Sequence, residues 1–160
     1  MRIASYALGQ WLTPTRDLLP VRSAVTGETV AEVSTTGVEP GAMLDYARRV
    51  GGPALRALTF HERAERLKAL AGYLNDRKAR LYELSHETGA TKADAWFDVD
   101  GGIGALFVYA SKGRRELPNA RFLLDGAPEM LAKDGSFIGQ HLLVAREGVA
   151  VHINAFNFPC

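Results

Sequence analysis

The stretch from Thr59 to Gly113 constrains the fold most, because it holds amphipathic helices whose starts and stops are written in the residues. Thr59 followed by Glu62 makes a capping box, in which each side chain satisfies a backbone N–H that the first helical turn leaves unpaired. Phe60, Ala64, Leu67, Ala71 and Leu74 then recur every third or fourth residue. Leu81 and Leu84 carry the stripe on to Gly89, a residue suited to the left-handed position after a helix. The pattern leaves open whether a break falls near Asn75-Asp76. Thr91 and Asp94 repeat the cap, and Trp96, Val99, Ile103, Leu106 and Ala110 form one stripe with Gly113 as its end. Gly101, Gly102 and Gly104 each weaken this helix by about 1 kcal/mol relative to Ala, so another backbone is expected to pack closely against it.

The flanks read differently. Ala4–Trp11 and Val30–Val33 are extended, the second following the turn-like Val25–Glu28. Pro14 and Pro20 exclude a helix between them. Pro40 suits a first helical turn, Met43, Leu44, Ala47 and Val50 follow at helical spacing, and Gly51-Gly52 is expected to stop that helix. Past Pro118 the residues predict strands over Arg121–Leu124 and Phe137–Ala145, with Gly126, Pro128 and Gly135 in the connection. Val149–Ile153 reads as a buried strand. A new sheet starting so late implies a chain that stops inside a larger fold.

Several function classes are disfavoured. Nineteen basic and 18 acidic side chains are interspersed, for a net charge of +1, so nucleic acid and anionic membranes find no basic patch. One thiol, Cys160, gives no internal disulfide. The residues after Met1 lack an apolar signal core, and the charge-free run Gly148–Cys160 is shorter than the ~20 apolar residues a bilayer requires. A soluble cytoplasmic protein is expected. His61, His86, His141 and His152 share no ligand spacing, so no metal site is expected. Gly102-Ile103-Gly104 lacks both the third glycine and the preceding strand of a dinucleotide fingerprint. Asp94, Asp98 and Asp100 are expected to mark a solvated helix face. No serine sits in a nucleophile-elbow pattern.

The segment Gly148–Pro159 is where chemistry is best placed. A hydrophobic run enters a turn of two asparagines, two phenylalanines and a proline. Open α/β sheets bind ligands at the carboxyl ends of their strands. A side-chain amide there can donate to a developing oxyanion, and losing such a donor costs about 2.7–4 kcal/mol. Composition alone favours a plainer reading, in which both asparagines are turn formers.

A resemblance shifts that balance. Val149 to Pro159 closely resembles the first cofactor-domain strand and its aromatic-Asn-Phe-Pro turn in the aldehyde dehydrogenase superfamily. Gly9-Gln10-Trp11, Thr26-Gly27-Glu28 with Ala31-Glu32-Val33, and Glu87-Thr88-Gly89 follow the family's order and approximate spacing. Arg63 and Leu67 fit its long N-terminal helix, and the likeness covers essentially the whole chain. Ala54–Phe60, Asp98–Gly104 and Ile153–Cys160 look like a branch that oxidises CoA-linked semialdehydes in bacterial aromatic breakdown. Glu116-Leu117-Pro118 and the Pro159-Cys160 pair favour its phenylacetate members, which also carry a separate ring-opening domain, over the neighbouring benzoyl-CoA members.

The resemblance implies an α/β fold. Residues 1–117 would be N-terminal strands and helices of the cofactor domain, 118–147 a hairpin that joins subunits into a homo-oligomer, and 148–160 the first strand and turn of a Rossmann-like sheet. It implies that a downstream cysteine attacks the aldehyde, that Asn157 helps stabilise the oxyanion, and that hydride passes to NADP, with NAD as the alternative. Water activated by a downstream glutamate would release the acid. Ile153, Asn154, Ala155 and Phe156 match positions that border the cofactor. Cys160 does not match the nucleophile, so these 160 residues alone are expected to be inactive, and poorly stable with a sheet left unfinished.

Overall fold

A computed structural model describes residues 1–160 as a mixture of helices and small antiparallel sheets. Strands β1 (Ser5–Ala7) and β2 (Gln10–Leu12) form a hairpin closed by Leu8 and Gly9, both left-handed with φ of 53° and 81°. Two such residues give the turn whose twist matches the strands. A side chain at Gly9 would also strike the Tyr46 hydroxyl, 2.8 Å from where a Cβ would stand. Strands β3 (Leu19–Arg22) and β4 (Thr29–Val33) pair antiparallel, Leu19 facing Val33. Pro20 is tolerated because a two-stranded sheet gives β3 a free outer edge.

Helix α1 (Pro40–Tyr46) does not stop at Gly51-Gly52 as expected. It passes through a π-helical turn, Ala47–Gly51, into α2 (Gly52–Arg56). The reason is Pro53, which has no N–H and would crowd the carbonyl four residues back in a regular helix. Widening the turn makes room, and Gly52 N–H reaches the Ala47 carbonyl instead.

Helix α3 (Phe60–Asn75) starts at the expected box, with Thr59 N–H to Glu62 Oε2 at 2.7 Å and Glu62 N–H to Thr59 Oγ1 at 3.2 Å. The break falls at Asp76-Arg77. Helix α4 (Lys78–Glu87) then runs to Thr88, and Gly89 takes φ 80° as a left-handed stop. The second box, Thr91 with Asp94, opens α5 (Lys92–Glu116). Helix α5 continues through Gly113, which was expected to end it. Gly113 instead faces α3, where an added Cβ would stand 3.2 Å from the Ala64 Cβ.

The core lies along the α3–α5 contact and is built from Ala64, Ala71, Ala95, Val99, Ile103 and Ala110. Side chains this small let the helices approach closely. Trp96 is not in the buried stripe. It is 55% exposed and packs edge-on to Phe97, because it sits about 100° around the helix from Ala95. His61 Nε2 meets the Leu117 carbonyl at 2.9 Å and Phe60 N–H donates to the Ala120 carbonyl at 2.9 Å, so the start of α3 is tied to the end of α5.

Strands β5 (Phe122–Met130) and β6 (Ile138–Val144) form the last hairpin, Phe122 facing Val144 and Met130 facing Ile138. Gly126 and Pro128, expected in the connection, lie inside β5. They occupy a register irregularity between Asp125 and Glu129, where positive φ and a missing donor do little harm to the ladder. Residues 149–153, expected as a buried strand, are irregular and exposed. No strand lies beside them, and backbone groups in a strand need a neighbour to pair with. No helix is long and apolar enough to cross a membrane.

Candidate active-site segment

The segment Gly148–Cys160 is held near both ends and open between. At its start, Ala145–Ala150 borders a cleft of about 480 Å³ whose other wall is Gly52, Leu55 and Arg56 of α2 with Arg63 of α3. Arg56 Nη2 lies 3.8 Å from Glu147 Oε1. Gly52 has no side chain there, and a Cβ on it would stand 3.9 Å from the Gly148 carbonyl. The Arg63 Nε and Nη2 atoms are buried without a hydrogen-bond partner. Its guanidinium stands 5.8 Å from the Phe60 ring centroid.

At the other end, Cys160 N–H donates to Asp98 Oδ1 at 2.9 Å. A Cβ on Gly102 would be 3.2 Å from the Cys160 carbonyl carbon, so this glycine meets the close backbone expected of the trio. Gly101 and Gly104 face open space. The Cys160 residue is exposed, yet shielding of its sulfur against α5, and then the hydrogen bond and charge of Asp98, push its thiol up from the ordinary value. A thiol held protonated is a poor nucleophile.

The two asparagines of the turn behave differently. Asn154 donates its amide to the Pro159 carbonyl and closes the turn on itself. Asn157 sits at the bend, exposed, with its amide uncommitted. Ile153, Ala155 and Phe156 are exposed as well, Phe156 by 95%.

Of the acidic residues of α5, Asp94 is exposed as expected, while Asp98 and Asp100 are half-buried and engaged. Asp94 caps the helix, Asp98 holds the tail, and the half-buried Asp100 joins α5 to α4. Asp100 accepts from Lys78 Nζ at 2.8 Å and from the Tyr82 hydroxyl. The Lys78 hydrogen bond first, and the Tyr82 hydroxyl second, hold its carboxyl below the usual carboxylate range. The same contact with Asp100 pushes the Tyr82 phenol up. Sequence reasoning names Asp98 as a solvated residue and Arg63 as a family match. It misses the Asp98 bond to Cys160 and the unpartnered donors of Arg63, since nothing local in the sequence marks either.

Residues 11–160 match the aldehyde dehydrogenase family, and the chain belongs to it. It is similar to the 3,4-dehydroadipyl-CoA semialdehyde dehydrogenase of Aromatoleum evansii, at 43% identity over 99% of this chain. The chain spans 31% of the length of that curated relative.

Proposed function

We propose that the whole protein to which these residues belong oxidises a CoA-linked semialdehyde to its acid, with Asn157 as an oxyanion donor. The electron acceptor is a nicotinamide cofactor, NADP before NAD. The observation that carries this reading is the 43% identity to a CoA-semialdehyde dehydrogenase, and the Asn157-Phe158-Pro159 turn, with Asn157 exposed at its bend, agrees with it. When a thiolate adds to the aldehyde carbon, the carbonyl oxygen gains negative charge. An amide N–H aimed at that oxygen stabilises the addition more than it stabilises bound substrate, which is what lowers a barrier. Cys160 is not assigned as that thiolate, since it follows the turn directly, at a position that does not match the family's nucleophile. The nucleophile and the general-base glutamate belong to other parts of the protein, as does the rest of the cofactor seat.

In the same reading, residues 1–117 belong to the cofactor domain, 118–147 join copies of the protein, and 148–160 become strand and turn once a neighbouring strand pairs with them. The protein works in the cytoplasm. The substrate is the semialdehyde of phenylacetate breakdown. A second reading, 3,4-dehydroadipyl-CoA semialdehyde as substrate, is favoured by the relative's identity. Comparing kcat/KM for the two CoA-linked aldehydes, and for their free acids, separates them. In the whole protein Asn157→Ala should lower kcat about 10²–10³-fold. A near-normal kcat would leave Asn157 as a turn former only.

A further inference from the structure

We propose that Arg63 is a positioning residue whose guanidinium holds the backbone of residues 145–150 and thereby sets where the Asn157 turn sits. Arg63 lies in the first turns of α3, on the wall of the cleft that this backbone borders. Its Nε and Nη2 are shut away from solvent and have no acceptor. Burying charged N–H donors without acceptors is unfavourable, so an acceptor already beside them is the natural partner. The Phe60 ring, its centroid 5.8 Å from the guanidinium carbon, offers a π face but no oxygen acceptor for the N–H groups. Glu147, the carboxylate bordering the cleft, is paired with Arg56 at 3.8 Å. Along the facing wall run the carbonyls of residues 145–150, outside any strand ladder from Ala145 onward. A planar guanidinium presents parallel donors that suit neighbouring carbonyls, and an ammonium does not. Gly52 fits the same arrangement, because its missing side chain lets the Gly148 carbonyl run against the helices.

The link to Asn157 rests on the dehydrogenase reading; the anchoring itself does not. The test uses Arg63→Gln and Arg63→Lys in the whole protein. Hydrogen exchange is followed in peptides from 145–158, and kcat and KM are measured in parallel. In Arg63→Gln, exchange at 145–158 should accelerate about tenfold or more while α3 and α5 keep their protection. Its kcat should fall roughly 10- to 10²-fold with little change in KM, as misplacement of a catalytic group does. Arg63→Lys should lie between, since it keeps the charge and loses the fork. Wild-type exchange at 145–158 in folded Arg63→Gln overturns the proposal. Where that variant does not fold, wild-type exchange and kcat in Arg63→Lys overturn it instead. A loosened segment in Arg63→Gln beside a fully active Asn157→Ala leaves the anchor standing and removes the oxyanion role. The opposite pair of results removes the anchor alone.

Discussion

The α3–α5 pair and the β5–β6 hairpin place their apolar residues in opposite ways. Between the helices the buried side chains are mostly alanines, with Val99 fully enclosed. In the hairpin the large residues Phe122, Leu124, Leu142, Leu143 and Val144 are all exposed. The helical pair is fixed at its starts by two capping boxes and across its ends by the His61 and Phe60 bonds to the α5–β5 connection. The hairpin has its own ladder and little else, so its backbone is satisfied while its side chains are not. Order in one region comes from packing; order in the other comes from pairing alone.

The largest test of that contrast removes volume from each side. Ile103→Ala should cost about 2–5 kcal/mol, because the small neighbours leave no flexible chain to fill the gap. Leu142→Ser should stay within about 0.5 kcal/mol, and should reduce self-association seen by sedimentation. Equal shifts in chemical denaturation would mean that the hairpin is packed as the helices are. A smaller effect probes the caps. Thr59→Ala should cost about 1 kcal/mol by leaving Glu62 N–H without its partner, a loss that thermal unfolding would detect.

The smallest effect is a pH dependence confined to the α4–α5 contact. The Asp100 carboxyl is held below its ordinary value when folded, first by Lys78 and then by Tyr82. Its contribution is therefore present above the unfolded value, about 3.9, and is lost as pH falls through the lower folded one. The melting temperature should drop on acidification below about pH 4 more steeply in the native protein than in Asp100→Asn. Parallel curves would remove Asp100 from the account. Tyr82 works on the alkaline side with the opposite sign: its raised phenol is stabilising while protonated, and that support goes as pH rises through its folded value.

What was legible in the sequence was what is local. Thr59 with Glu62, Thr91 with Asp94, and Gly89 each act within one turn, and each sits where the residues placed it. What depends on distant neighbours was not legible. Gly113 reads as a stop until Ala64 is seen to occupy the space its side chain would need. Val149–Ile153 has the composition of a buried strand, but a strand exists only with a partner. Gly51-Gly52 misled for a local reason, since Pro53 converts a stop into a widened turn. At the site, composition alone makes two asparagines three residues apart equivalent turn formers, and only the family resemblance gives them different roles. The bond from Asn154 to the Pro159 carbonyl is set by the fold and was not legible in the sequence.

The π-helical turn at Ala47–Gly51 carries one residue more than an ordinary turn, and that extra residue sets the phase of everything after it. Deleting a single residue there would bring Pro53 into an ordinary turn, where its ring crowds the carbonyl four residues back, so the chain would have to bend or break before α2. Gly52 and Arg56 would then be displaced from Gly148 and Glu147, although every residue that makes those contacts would still be present. A length change far back in the chain would thus be felt at the turn bearing Asn157, and insertions or deletions between Pro40 and Arg56 should be tolerated far less than substitutions.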